Sequence, residues 1–168
     1  MIVIATPKEL ELVDKILGDQ AYRYYPILVT GVGGTNVVEK LRDIPRDTPI
    51  INIGYAGSSN TKIGTIVEVS QCSIYHPNVE YNESVFRLPK GAFDDTVLDA
   101  LSQKRMTCYT SNDFVLETKK HDCIFDMELA FICALGFENL RSIKMVSDNL
   151  SIDQYETVEE KIITFTNK

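Results

Sequence analysis

The chain has 168 residues, 44% of them hydrophobic and 24% charged, which is enough for a compact domain with a sizeable core. Its net charge of -7 argues against a nucleic-acid surface, because neutralising phosphates takes clustered Lys and Arg. The four cysteines lack CxxC spacing and His76 and His121 stand apart, so neither a zinc site nor a disulfide framework is indicated and no cofactor is expected.

Met1–Ala5 is a short apolar run rich in β-branched residues and reads as a strand. It has no basic leader before it, and no apolar run is long enough to span a bilayer, so a reduced, cytoplasmic protein without a membrane partner is expected. Pro7-Lys8-Glu9 opens a helix with Leu10, Val13 and Leu17 on one face, ended by Gly18. Pro26–Thr30 is a second strand. Gly31-Val32-Gly33-Gly34 forms the turn into a helix over Thr35–Leu41.

Ile50–Ile53 is a third strand, closed by the turn Gly54-Tyr55-Ala56-Gly57, and Ile63–Ser70 a fourth. Gln71–Gly91 reads as a long loop holding one strand. A helix is expected over Asp94–Gln103, a strand over Met106–Thr110, an apolar helix over Met127–Leu135 and a strand over Ser142–Val146. The last helix runs from Gln154 to Phe165. Short apolar strands alternating with helices, with no repeat or linker, predict one α/β domain over the whole chain.

The turn at Gly31–Gly34 follows a strand and precedes a helix, the setting of an anion-binding helix N-terminus or simply of a tight turn. It is neither a dinucleotide fingerprint, which would put a third glycine at Asn36, nor a P-loop, since no Lys-Ser/Thr follows. Gly54–Gly57 also lies at a strand's carboxyl end, where ligands of open α/β sheets gather.

Six segments then line up in order with one family. Thr30-Gly31-Val32-Gly33 resembles its Ser/Thr-Gly-Ile-Gly segment, and Ile50–Gly57 its strand ending in Gly-x-Ala-Gly. Asp126-Met127-Glu128 resembles its Val-Glu-Met-Glu helix start, and Lys144-Met145-Val146-Ser147-Asp148 its Arg-x-Ile-Ser-Asp strand end. Tyr75-His76 and Ser111–Val115 fit two further segments. The family is the nucleoside phosphorylases and nucleosidases, and the branch most similar is the methylthioadenosine/S-adenosylhomocysteine nucleosidases. This chain is a shortened relative, with gaps between Gly18 and Pro26, around Glu117–Asp122 and at the C-terminus.

The resemblance implies a three-layer αβα sandwich around a central mixed, twisted sheet, assembled as a homodimer or larger homo-oligomer. It implies that Asp148 is the general acid protonating N7 of a leaving purine, with Ser147 beside it. Glu128 would grip the ribose hydroxyls with Met127 beneath the sugar, Phe114 would stack on the base, and the Val115 backbone would read its edge. Ala56 and Gly57 would line the ribose side, and Glu9 would orient the attacking water. Tyr55 replaces a small residue of the family pattern, and Lys144 an arginine.

The chemistry suits these residue types. Cleavage passes through an oxocarbenium-like state, so one acid must donate a proton while another, ionised, aims the nucleophile. Asp148, ending an apolar strand, is expected to hold its proton through desolvation, and Glu9, near a helix N-terminus, to ionise readily. Taken singly, each acid also has a plainer reading: Asp148-Asn149 as a turn, and Glu128 and Glu9 as first-turn acids.

Phosphorylases of the family bind phosphate through arginines. The turn Ala5-Thr6-Pro7-Lys8-Glu9 has none, and an acid there repels phosphate, so hydrolysis is favoured. The alternatives are a phosphorylase using Arg23, Arg42 or Arg46, and a nucleoside-binding relative that no longer turns over.

Overall fold

A computed structural model describes residues 1–18, 21–77, 85–88 and 104–156. Its strands are β1 (Ile2–Ile4), β2 (Ile27–Val29), β3 (Ile50–Gly57), β4 (Ile66–Ile74), β5 (Phe86–Arg87), β6 (Lys104–Thr110), β7 (Cys123–Asp126) and β8 (Leu140–Asp148). The helices are α1 (Leu10–Leu17), α2 (Ala21–Tyr24), α3 (Gly34–Leu41) and α4 (Leu129–Ala134), with a 3-10 turn at Pro7–Glu9. A helical turn over 152–156 follows β8.

The eight strands form one mixed sheet. β2, β1, β3 and β8 run parallel, while β4, β6 and β7 are parallel to one another and oppose them. The ladder β3–β8–β4–β6–β7 returns to β3 through the single pair Gly57↔Phe125, so five strands close into a barrel-like ring. β3 and β7 meet only at their carboxyl ends.

Period-2 alternation sorts the apolar side chains into two cores. Ile2, Ile4, Ile51, Ile53, Ile143 and Met145 join Leu12, Val13 and Ile16 of α1 in one. Val3, Ile50, Ala56, Val67, Cys72, Cys108 and Val146 join Val37 and Leu41 of α3 and Leu129, Ala130 and Ile132 of α4 in the other. Full burial of each such aliphatic side chain contributes roughly 1.5–3 kcal/mol.

Several expectations change. The buried face of α1 is Leu12, Val13 and Ile16, with Leu10 and Leu17 only half-buried, because the 3-10 turn at Pro7–Glu9 rotates the register. Gly54–Gly57 is no turn, since β3 runs straight through it to pair with β8. β4 begins later than expected and extends to Ile74, into the expected loop. β7, which sequence reading missed, packs Ile124 and Phe125 between β6 and the end of β3. The apolar helix starts at Leu129, which leaves Met127 and Glu128 on the strand–helix junction. The helix expected over Asp94–Gln103, and the part of the last helix beyond Glu156, lie outside the described residues.

Candidate active site

The carboxyl ends of β1, β3, β7 and β8 converge on a cavity of about 220 Å³. All nine residues singled out from the sequence line it: Glu9, Ala56, Gly57, Phe114, Val115, Met127, Glu128, Ser147 and Asp148. Asp126, Asp113, Tyr55, Tyr155, Val32 and Leu150 add to the wall.

Asp148 reaches the cavity through an irregularity in the sheet. Register along β3 and β8 is continuous to Ala56↔Val146 and then shifts so that Gly57 faces Asp148. Such a bulge re-aims a strand's last side chain. The Asp148 carboxylate accepts hydrogen bonds from Ser147 Oγ at 2.7 Å and from the Leu150 N–H at 2.9 Å. Burial raises its pKa above the ordinary aspartate value, against the pull of those donors. A Cβ on Gly57 would lie 2.8 Å from Asp148 Oδ1, so this glycine is required by close approach rather than by a turn.

Glu9 is turned inward from the 3-10 segment and is only 7% exposed. Its carboxylate accepts hydrogen bonds from the N–H groups of Ala5 (2.7 Å), Thr6 (3.3 Å) and Tyr55 (3.2 Å), which tie the end of β1 to the middle of β3. A Cβ on Gly54 would lie 2.9 Å from Glu9 Oε1 and 3.3 Å from Lys144 Nζ, which explains the second strand glycine. Glu9 does not ionise as readily as its helix-start position predicted. Burial raises its pKa, opposed by Lys144 and the three N–H donors. It is not a solvated first-turn acid.

Glu128 precedes α4 and accepts hydrogen bonds from the Gly33 N–H at 3.1 Å and the Met127 N–H at 3.3 Å. Gly33 adopts φ +90°, where a side chain is strained, and so aims its N–H at this carboxylate. The helix N-terminus that resembled a site for an external anion is therefore engaged by the protein's own Glu128. Burial, then repulsion from Asp126, pushes the Glu128 pKa up to about 7.

Asp126 in the cavity wall and its buried partner Lys144 carry weight that the motifs did not assign. Lys144 Nζ lies 2.9 Å from Asp126 Oδ2 in an ion pair with almost no exposure on either side. Burial pushes the Lys144 pKa down, but Asp126 and its anionic neighbours outweigh that and hold it above the ordinary lysine value. Asp126 also accepts hydrogen bonds from Thr110 Oγ1 and from the Leu129 N–H at 3.0 Å. Three carboxylates, those of Asp126, Glu9 and Glu128, thus interact with one fixed cation. The sequence signal was the acid two residues before Glu128 together with the only cation in a fully buried β8 neighbourhood of Ser142–Asp148.

Aromatic side chains form the remaining wall. Tyr155 makes edge contacts with Phe114 at 6.0 Å and with Tyr55 at 6.4 Å between centroids. Tyr55 is 8% exposed and packs in the core on the α1 side, so its bulk supports this wall. The arginines considered for phosphate lie elsewhere. Arg42 is exposed beside Asp43, and Arg46 donates to the carbonyls of Leu41, Ile44 and Arg42. The Arg23 side chain lies outside the described residues. Among the described residues no Lys or Arg lines the cavity.

No family model matches the sequence, and no curated protein matches it. Solved structures do match. A 5′-methylthioadenosine/S-adenosylhomocysteine nucleosidase from S. pneumoniae, bound to a transition-state inhibitor, aligns with TM-score 0.69 and 19% identity over 97% of this chain and 91% of its own. A futalosine hydrolase mutant from Helicobacter pylori aligns with TM-score 0.69 and 12% identity, covering 97% and 95%. The corresponding nucleosidase from Neisseria meningitidis, in complex with methylthio-immucillin-A, gives TM-score 0.68 and 15% identity, covering 96% and 90%. The chain has the fold of these nucleosidases.

Proposed function

We propose that this protein hydrolyses the N-glycosidic bond of a purine nucleoside or thionucleoside, of the methylthioadenosine/S-adenosylhomocysteine type, releasing free base and sugar. The observation that carries the reading is the cavity's charge pattern: carboxylates from three separate strand ends, apolar walls and, among the described residues, no lining cation. Among the described residues no Lys or Arg would pair with a phosphate there, whereas the lining suits a neutral nucleoside and a water. The nucleosidase fold of the solved neighbours supports the same reading.

Burial raises the Asp148 pKa and so favours its protonated form, which donates the proton to N7 of the base as the glycosidic bond breaks. Ser147 Oγ and the Leu150 N–H then stabilise the carboxylate left behind. Phe114 stacks on the base and the Val115 backbone reads its edge. Glu128 accepts the ribose hydroxyls above Met127, with Ala56 and Gly57 on the sugar's other side. Glu9 aims the water and takes its proton; burial makes it a better base than an exposed glutamate. Lys144, anchored on Asp126, keeps the adjoining carboxylates from repelling one another out of position.

The reading extends to the whole chain as one domain. Helices packed on both faces of the sheet are read as the outer layers of a three-layer αβα sandwich. We also propose a cytoplasmic homo-oligomer, a dimer or larger. The test is incubation of the purified protein with 5′-methylthioadenosine, adenosine and inosine, with chromatography for free base. Release from at least one is expected. No release from any, with tight binding retained, would replace the reading with that of a nucleoside-binding protein.

A further inference from the structure

Among the described residues five carboxyl groups line the cavity: Glu9, Asp113, Asp126, Glu128 and Asp148. Four of them are buried, and each of the four accepts at least two hydrogen bonds from the protein's own donors. Asp113 differs. It is exposed, and among the described residues its carboxylate takes part in no hydrogen bond or ion pair. Its backbone N–H is already used, donating to Ser111 Oγ at 3.2 Å. What Asp113 brings to the cavity is therefore a carboxylate with its acceptor capacity to spare. It lies between β6 and β7, directly before Phe114, whose ring joins Tyr155 in the aromatic wall.

We propose that Asp113 is a specificity-determining residue, its carboxylate accepting a hydrogen bond from the 6-amino group of the base. The site then takes 6-aminopurine nucleosides in preference to 6-oxopurine ones. The inference rests on the nucleosidase reading and names the base that the reading leaves open. In that reading Phe114 and Val115 serve the base, while Glu128 and Glu9 serve the sugar and the water, so the uncommitted carboxylate falls on the base side. Asp148 donates to N7, and the C6 substituent neighbours N7 on the same edge of the ring. An ionised carboxylate only accepts hydrogen bonds. It is matched by an exocyclic amine and opposed by a carbonyl oxygen, whose lone pairs face its own. One hydrogen bond to a charged group corresponds to about 10- to 100-fold in discrimination.

The test compares kcat/KM for adenosine and inosine in the full-length protein and in Asp113→Ala and Asp113→Asn, both substitutions at an exposed position. The parent should favour adenosine by about 10- to 100-fold. Asp113→Ala should lower the adenosine/inosine ratio at least about tenfold, through loss on adenosine. Asparagine can turn its oxygen to a 6-amino group or its NH₂ to a 6-oxo group, so Asp113→Asn should raise kcat/KM for inosine above that of the parent. A ratio unchanged in both variants, an equal fall for both nucleosides, or a parent that prefers inosine would overturn the proposal. If neither nucleoside is cleaved, the nucleosidase reading fails by itself, and calorimetric affinities for adenine and hypoxanthine decide this inference. Tighter binding of adenine that Asp113→Ala removes supports it; equal or undetectable affinities overturn it.

Discussion

Glu128→Gln separates stability from function in a way the site's electrostatics make quantitative. In the folded protein the Glu128 pKa stands at about 7, against an ordinary value of 4.5. A folded-state pKa above the unfolded value means that the folded protein holds this proton more tightly. The associated stability is present below pH 4.5 and is lost as pH rises through 7. At about 1.36 kcal/mol per pH unit, ionising this group costs the native state about 1 kcal/mol at pH 5 and about 3 kcal/mol at pH 8. Glutamine removes that cost and can still accept the Gly33 N–H through its carbonyl. The variant should therefore gain on the parent by about 2–2.5 kcal/mol between pH 5 and pH 8, equivalent to several degrees in Tm for a chain of this size. Urea unfolding of both proteins at the two pH values measures it, and the difference between them cancels the titration of Glu9 and Asp148. The same variant should lose nucleoside affinity and rate, because glutamine offers the ribose hydroxyls one uncharged acceptor oxygen and a donor NH₂ in place of a carboxylate's two oxygens. A pH-independent stability difference, or a destabilised variant at pH 8, would refute the reasoning.

Other substitutions probe the remaining parts. Asp148→Asn keeps the shape but removes the proton, so turnover should fall by about 10²–10⁴-fold while the Kd for a nucleoside, measured by calorimetry, moves little. Lys144→Met leaves Asp126 charged and unpaired in the interior and should cost about 3–5 kcal/mol by urea unfolding; a loss under about 1 kcal/mol would show that the pair is not a fixed part of the fold. Gly57→Ala sets a methyl 2.8 Å from Asp148 Oδ1 and 3.2 Å from Leu150, so kcat should drop at least about tenfold in steady-state assays of a protein that still folds.

The order of strands and helices was largely legible, because periodicity and glycine punctuation record it locally. The exceptions have local causes. Gly54 and Gly57 look like turn residues, yet both occupy a strand because Glu9, Lys144 and Asp148 press against its backbone. Nothing in the residues near Gly54 reports a carboxylate 45 positions earlier in the chain. β7 was missed because four residues are too few to show a period, and its pairing with β6 is long-range. Barrel-like closure rests on the single Gly57↔Phe125 pair, which no local pattern encodes.

The candidate site was more legible than the topology. The motifs at Glu9, Glu128 and Asp148 carry side-chain chemistry, and the sheet brings them to one cavity. Their charge states were harder to read. Glu9 was expected to ionise readily, yet burial raises its pKa against the pull of three backbone donors and Lys144. Tyr155, on the helical turn after β8, has no motif at all, yet it lines the cavity in edge contact with Phe114 and Tyr55.

The central claim is that water, not phosphate, attacks the sugar in a cavity with no lining cation among the described residues. The most direct measurement is the rate of base release from 5′-methylthioadenosine over a phosphate titration from none to saturating, with the sugar product identified by mass spectrometry. The account predicts an unchanged rate and a free reducing sugar at every concentration. A rate that rises from near zero with phosphate, together with a sugar 1-phosphate product, would contradict it.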